Sequence, residues 1–92
     1  MIQSIRHRAL RAYWTRGRAG GLNADWLNRL TLILARLDAA IRPEDINEPG
    51  LRFHALTGDM KGRYSVRRTG NWRVTFGWDG ENAVDVDLED YH

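Results

Sequence analysis

The chain of 92 residues contains no cysteine. Disulfide bonds and thiolate metal ligands are therefore excluded, an absence that is compatible with a reducing compartment. Long apolar runs are missing as well, and a membrane-spanning helix needs about 18 consecutive apolar residues. The first residues lack the apolar stretch and small-residue cleavage site of a signal peptide. We therefore expect a cytoplasmic protein that makes no use of a membrane.

Acidic residues are absent from the first 24 positions, and the two signs of charge stay separated along the chain although the net charge is only +2. Five arginines precede the first acid, a second basic group contains Asp59 as its one acid, and the charged residues after position 78 are all acidic. The second group comprises Arg52, Lys61, Arg63, Arg67, Arg68 and Arg73. Such segregation can focus a positive field that attracts a nucleic acid. Arginines that pair across strands with the acidic end would explain it equally well.

Two amphipathic helices are predicted in the first half of the chain. The first covers about Arg6 to Thr15 and stops at a glycine cluster that begins with Gly17. Asn23 then occupies the position of an N-cap. Pro43 ends the second helix. Its apolar residues recur at spacings of three and four, which indicates a core-facing seam: Leu27, Leu30, Leu34, Leu37 and Ile41.

Strands are predicted in the second half, after a polar loop over 44–50. Residues 51–56 alternate so that Phe53 points inward and His54 outward. A hairpin follows, bent at Thr69 and Gly70, and Asp79-Gly80 makes the turn into a last strand through Val84, Val86 and Leu88. Ile2 and Ser4 are candidates for a short opening strand. With its 92 residues, the chain is expected to be a single α+β domain, residues 1–92, in which two N-terminal helices pack on one face of a small, mainly antiparallel β-sheet.

The hairpin is the stretch with the clearest potential for chemistry. Its apolar positions include Trp72, which alternation assigns to the core, whereas Arg67 and Arg73 fall on the open face with His54. An imidazole near arginines suits metal-free RNA cleavage, in which a base takes the 2′-hydroxyl proton, an acid protonates the 5′-oxygen and cations stabilise the phosphate. No spacing typical of a metal site occurs. A structural role for a lone strand histidine stays open, and His7 is interpreted as a surface residue.

Residues 56–66 read LTGDMKGRYSV, residues 71–76 read NWRVTF and the chain ends in Glu89-Asp90-Tyr91-His92. These motifs resemble the HigB toxins of the RelE-like toxin superfamily, and the likeness extends over nearly the whole chain. The resemblance implies the RelE-like toxin fold and the toxin of a type II toxin-antitoxin pair. Such a toxin is a ribosome-dependent, metal-independent endoribonuclease, or mRNA interferase, that cuts messenger RNA in the ribosomal A site and inhibits translation.

The resemblance also implies partners and site residues. The expected partners are a helix-turn-helix antitoxin of the HigA type, the ribosome and messenger RNA, with operator DNA reached only through the antitoxin. No cofactor is expected. The matching catalytic positions are His54, Arg73, Asp90, Tyr91 and His92, with Arg73 holding the scissile phosphate. RNA contacts are expected from the neighbouring basic residues, Lys61, Arg63, Arg67 and Arg68.

One position departs from the family pattern. Many relatives have lysine before the Gly58-Asp59 pair, where this chain has Thr57. A cation that would help to neutralise the transition state is therefore missing unless Lys61 or Arg63 replaces it. The alternative interpretation is a catalytically weakened module of the same fold that acts by binding antitoxin or ribosome.

Overall fold

In a computed structural model, which describes residues 1–67 and 71–90, two helices precede a four-stranded sheet. The helices are α1 (Arg8–Arg16) and α2 (Leu27–Ala39). The strands are β1 (His54–Ala55), β2 (Arg63–Val66), β3 (Trp72–Trp78) and β4 (Ala83–Asp90). Neighbours in the chain are neighbours in the sheet, and every pair of strands is antiparallel. The predicted α+β architecture is confirmed, whereas the predicted bend at Thr69 and Gly70 lies outside the described residues.

Both ends of α1 follow from local chemistry. His7 caps the helix, since its Nδ1 accepts a hydrogen bond of 3.1 Å from the backbone N–H of Leu10. The helix ends at Gly17, whose φ of 72° is the left-handed conformation that favours glycine. The glycine stop is confirmed. His7, interpreted from the sequence as a surface residue, is partly exposed, and its side chain caps the start of the helix.

The seam of α2 supplies most of the helical contribution to the core. Leu30, Leu34 and Leu37 are fully buried, as predicted, together with Ile33. Asn23 does act as a cap: its side chain accepts from the backbone N–H of Asp25, at the start of a 3₁₀ turn, Ala24–Trp26, that runs directly into α2.

The predicted C-terminal end of α2 was wrong. The helix ends at Ala39, because Ala40 adopts an extended backbone, and Ile41 is consequently 78 % exposed. Pro43 begins a separate 3₁₀ turn, Pro43–Ile46, instead of ending the helix. Ile46 is fully buried, so the segment predicted as a polar loop also contributes to the core.

Alternation along the central strands separates a helix-covered face from an open one. Phe76 lies opposite Tyr64 and Val74 opposite Val66, and directly opposed residues in antiparallel strands project to the same side. Trp72 is 2 % exposed and stacks on Trp26 with ring centroids 5.2 Å apart. The prediction that Trp72 belongs to the core is confirmed.

A bulge in β4 changes the predicted alternation of that strand. Thr75 lies opposite Asp87 but Gly77 lies opposite Val84, so β4 contains one extra residue. The extra residue is accommodated at Asp85, whose backbone φ is 50°. Val86 and Leu88 face the helices as predicted, but Ala83 occupies the core in place of Val84. The Cγ2 of Val84 lies 3.3 Å from the position of a Cβ on Gly77, so Val84 projects to the open side.

Arg63 stabilises this bulge through two hydrogen bonds. Its Nη2 donates to the backbone oxygen of Asp85 at 2.7 Å and to the hydroxyl of Thr75 at 3.0 Å. Partial burial lowers the pKa of the Arg63 guanidinium, and the nearby charge of Arg6 adds to this effect, while acidic neighbours on β4 oppose it. The side chain reaches Asp85 across Gly77, where an added Cβ would lie 3.8 Å from Nη1 of Arg63.

The N-terminal residues lie along the outer edge of β4. Ile2 and Ile5 form isolated parallel bridges with Ala83 and Val86. The short opening strand is thus present only as two bridges. Within residues 1–67 and 71–90, neither helix has the length and apolar character needed to cross a membrane.

The connection between the helices packs tightly against α1 at a single glycine. A Cβ added to Gly21 would lie 2.8 Å from the Cβ of Ala9, closer than carbon atoms approach. The adjacent Gly20 has nothing within 4 Å of the same position. Neither glycine has a positive φ, so the two sites differ in space and not in backbone conformation.

We therefore expect Gly21→Ala to destabilise the fold by about 1–3 kcal/mol through overpacking. Gly20→Ala should be neutral or stabilise by about 0.4–1 kcal/mol, because alanine restricts the unfolded chain. Urea unfolding of both variants measures the difference. Equal stability of the two would show that the connection does not pack on α1 in this way.

Candidate active site on the open face of the sheet

An open cavity of about 390 Å³ lies on the side of the sheet that the helices leave uncovered. It is built from the cross-strand register, since His54 lies opposite Ser65 and Ser65 lies opposite Thr75. The residues that line it are Arg52, Phe53, His54, Ser65, Arg67 and Arg73. The structure therefore brings together His54, Arg67 and Arg73, which strand alternation had assigned to one face.

His54 is exposed on the short edge strand β1. The position of this strand depends on the residue before it, because Phe53 stacks on Tyr64 at 5.5 Å and Tyr64 stacks on Phe76 at the same distance. Phe53 is thus directed towards the core, as predicted, and packs against it. The imidazole is therefore presented to solvent from a strand whose position packing defines.

Arg73 is held by a carboxylate of the neighbouring strand. Its Nε and Nη2 donate to Oε1 of Glu89 at 3.1 and 2.9 Å, and the Oε2 of Glu89 accepts from the Thr75 hydroxyl at 3.2 Å. The two charged side chains are only 19 % and 27 % exposed. The Sδ of Met60 lies 3.9 Å from Nη2. The guanidinium therefore has a defined orientation beside the cavity.

Thr75 connects this pair to a second arginine. It is fully buried, donates to Glu89 and accepts from Arg63. Side chains from the three strands β2, β3 and β4 thus form one polar chain, Arg63 to Thr75 to Glu89 to Arg73. The chain is partly buried, a setting in which such hydrogen bonds strengthen one another. Sequence reasoning raised pairing of the arginines with the acidic end as an alternative, and Arg73 with Glu89 is such a pair. It did not identify the links through Thr75 to Arg63, because they depend on strand register.

The predicted RNA-binding residues differ in their position and exposure. Arg67 lines the cavity and is partly buried. Lys61 is exposed after the 3₁₀ turn Gly58–Met60. Arg63 does not line the cavity, because its guanidinium is engaged with Thr75 and Asp85. Arg68 lies outside the described residues. The RNA contacts of all four stay predictions.

The predicted catalytic residues at the chain's end are not brought to this cavity in the described part of the structure. Asp90 lies opposite Trp72, so its side chain is on the helix-covered side of the sheet. There it borders a separate cavity of about 260 Å³, which His7 and Trp26 also line. Tyr91 and His92 lie outside the described residues. The catalytic role of these three positions stays a prediction.

Among residues 1–67 and 71–90, no three His, Cys, Asp or Glu side chains converge as metal ligands would. An imidazole can move a proton, and an oriented guanidinium can bind the oxygens of a phosphate.

Comparisons with known proteins agree with the fold and with the motifs. Residues 3–92 match the model of the family described as RelE-like toxin of type II toxin-antitoxin system HigB. The Endoribonuclease HigB of Proteus vulgaris is 32 % identical to this chain over 92 residues, a match that covers the whole of both proteins. The chain therefore belongs to the HigB-like family of RelE-like toxins from type II toxin-antitoxin systems.

Proposed function

We propose that this protein is a metal-independent endoribonuclease that cuts messenger RNA in the ribosomal A site and thereby inhibits translation. The observation that carries the proposal is the placement of His54 and the oriented Arg73 in one open cavity. The name of the Proteus vulgaris relative, an endoribonuclease, supports the same activity.

In the proposed reaction, amino-acid side chains supply the base, the acid and the cation that catalysis requires. A base removes the proton of the ribose 2′-hydroxyl, whose oxygen attacks the adjacent phosphorus as the bond to the 5′-oxygen breaks. An acid protonates that leaving oxygen, so the products carry a 2′,3′-cyclic phosphate and a 5′-hydroxyl. We assign proton transfer to His54, Tyr91 and His92. Asp90, whose side chain is on the helix-covered side of the sheet, belongs to the proposed site only as the residue that leads into the tail. Arg73 binds the scissile phosphate and stabilises the charge that develops on it.

Glu89 is a positioning residue for Arg73 in this scheme. A carboxylate beside a phosphate-binding arginine weakens the attraction for RNA, because it neutralises part of the charge. The benefit is geometric: a guanidinium held by two hydrogen bonds meets the phosphate in one orientation, and small misplacements of a catalytic group are costly in rate.

The partners follow from membership of a type II family. We propose a cognate helix-turn-helix antitoxin of the HigA type that binds the toxin and carries any contact with operator DNA. The ribosome presents the messenger. The cavity offers Phe53 as its one aromatic among the described residues, which is little surface for stacking bases of free RNA.

A binding module without efficient cleavage is the second candidate, favoured by Thr57. That residue is exposed and uncharged where the family pattern has a lysine. Such a protein would bind ribosomes and leave the messenger intact, so one assay of binding and cleavage separates the two candidates.

Free RNA should be a poor substrate, because the ribosome supplies the geometry that the open cavity lacks. We expect purified protein to cleave messenger on programmed ribosomes and to leave the same messenger nearly uncut in solution. End-labelled messenger resolved on a sequencing gel measures both reactions. Comparable cleavage of naked messenger would contradict ribosome dependence, and ribosome binding without any cleavage would support the binding module.

Changing the tail should abolish cleavage and preserve the fold. His92→Gln and Tyr91→Phe are each expected to lower single-turnover cleavage on ribosomes, by about 10²-fold to 10⁴-fold for a positioned acid or base. The melting temperature and antitoxin binding should stay near those of the wild type, since terminal residues contribute little to stability. Unchanged cleavage after deletion of both residues would remove the tail from the active site.

Replacing Glu89 by Gln should separate binding from turnover. The substitution keeps an oxygen acceptor but removes the charge, so KM for programmed ribosomes should fall or stay constant while kcat falls about tenfold. Glu81→Gln, an equal charge change on an exposed turn, is the control and should leave both constants unchanged. A kcat of Glu89→Gln equal to that of the control would show that Glu89 does not position Arg73.

A further inference from the structure

The exposed side of α1 is a second basic surface. Arg8, Arg11 and Arg16 line a groove of about 360 Å³ whose other residues are Ala12 and Thr15. A neighbouring groove of about 460 Å³ lies against the same helix and is bordered by Arg8 and Arg18. Neither groove shares a residue with the cavity of His54 and Arg73.

The charges of this surface are not neutralised within the described part of the protein. Arg8, Arg16 and Arg18 make no side-chain hydrogen bond or ion pair with another described residue. Arg11 donates only to the backbone oxygen of Ile5, at 3.4 Å. The helix itself contains no acidic residue. Three arginines of α1, and Arg18 just after its end, therefore present their charge to solvent beside the same two grooves.

Several arginines elsewhere in the described chain have carboxylate partners. Arg73 pairs with Glu89, Arg36 with Glu48 and Arg42 with Asp45. Among the described residues, Arg52 and Arg67 of the open cavity have no carboxylate partner either. The outer side of α1 is therefore, like the open cavity, a place where the described chain carries positive charge that no acid balances.

We propose that this arginine face of α1, defined by Arg8, Arg11, Arg16 and Arg18, binds the phosphate backbone of double-helical RNA. From the rise of an α-helix, Arg8 and Arg16 lie about 12 Å apart along its axis, a span of several consecutive phosphates. Arginine is well suited to phosphate, because its planar group donates several hydrogen bonds at once.

The lining residues favour RNA over a protein partner. Protein interfaces depend on buried aromatic or large aliphatic anchors, whereas the apolar residues of these grooves are alanine and glycine. The same feature favours a duplex over a single strand, since unpaired bases are held mainly by stacking on aromatic side chains. A duplex offers a regular row of phosphates, which a straight helix with exposed arginines can follow.

This surface would give the protein two separate RNA contacts. The open cavity would take a substrate strand, and α1 would hold a structured RNA that is not cleaved. The duplex contact does not depend on cleavage, so the inference can fail or succeed independently of the proposed reaction.

The test measures binding of a blunt RNA duplex of about 20 base pairs by fluorescence anisotropy over a range of salt concentrations. The variant carries Arg8→Gln and Arg16→Gln, and it leaves Arg11 in place because that residue contacts Ile5. Glutamine preserves helix propensity. We expect about tenfold or greater loss of affinity and a salt slope lower by about two units, one for each lost phosphate contact.

The matched control carries Arg36→Gln and Arg42→Gln, which removes the same net charge from ion-paired positions. It should keep nearly the wild-type affinity and slope. A third variant, Arg8→Lys with Arg16→Lys, should retain the slope, because charge at these positions suffices for phosphate contacts. Circular dichroism melts verify that all variants fold.

Two results would overturn the proposal. Wild-type duplex binding by the Arg8→Gln, Arg16→Gln variant would exclude the surface, and equal losses in the variant and the matched control would assign binding to net charge alone. Loss of antitoxin binding with unchanged duplex binding would likewise refute it, because the face would then be a protein interface.

Discussion

The pairing of β3 with both of its neighbours is the contact on which the rest of this structure depends. Trp72, Val74 and Phe76 project to the helices, and Arg73 and Thr75 project to the open side. A shift of one residue in this register would move every one of these side chains to the opposite face. Burial of the aromatic and aliphatic set therefore also determines where the polar set lies.

The polar face gains its order from that register. Glu89 meets Arg73 because β4 lies directly beside β3, and the buried Thr75 hydroxyl joins the pair to Arg63. The side chain of an arginine in such a network has fewer accessible conformations than one in solvent. The neighbouring carboxylate also neutralises part of its charge. Under the proposed function, this network would orient the guanidinium towards a phosphate and weaken its attraction for RNA, so a separate source of positive charge would help binding.

The helices supply that source while they build the core. Leu10 of α1 is fully buried, whereas the arginines on its outer side face solvent without carboxylate partners in the described structure. One helix thus contributes to folding through its apolar side and to charge through the other. Because positive charges are concentrated on the outer side of this helix, a protein with a net charge of only +2 can carry a strongly basic surface.

The sequence by itself determined the elements whose signals are local. Period-two alternation placed His54, Arg67 and Arg73 on one face, the leucine spacing identified α2, and Gly17 marked the end of α1. The sequence motifs by themselves indicated the family. These inferences succeeded because the side-chain period of a strand or helix depends on nearby residues alone.

Only the tertiary structure decided which side chains meet. Arg73 and Glu89 are 16 positions apart, and their contact depends on strand register rather than on spacing. The bulge at Asp85, the early end of α2 before Ile41 and the position of Asp90 beside Trp72 likewise arise from packing between distant segments. Charge balance is the clearest case, because Arg73 on β3 acquires Glu89 from β4, while the arginines on α1 acquire no carboxylate partner within the described chain.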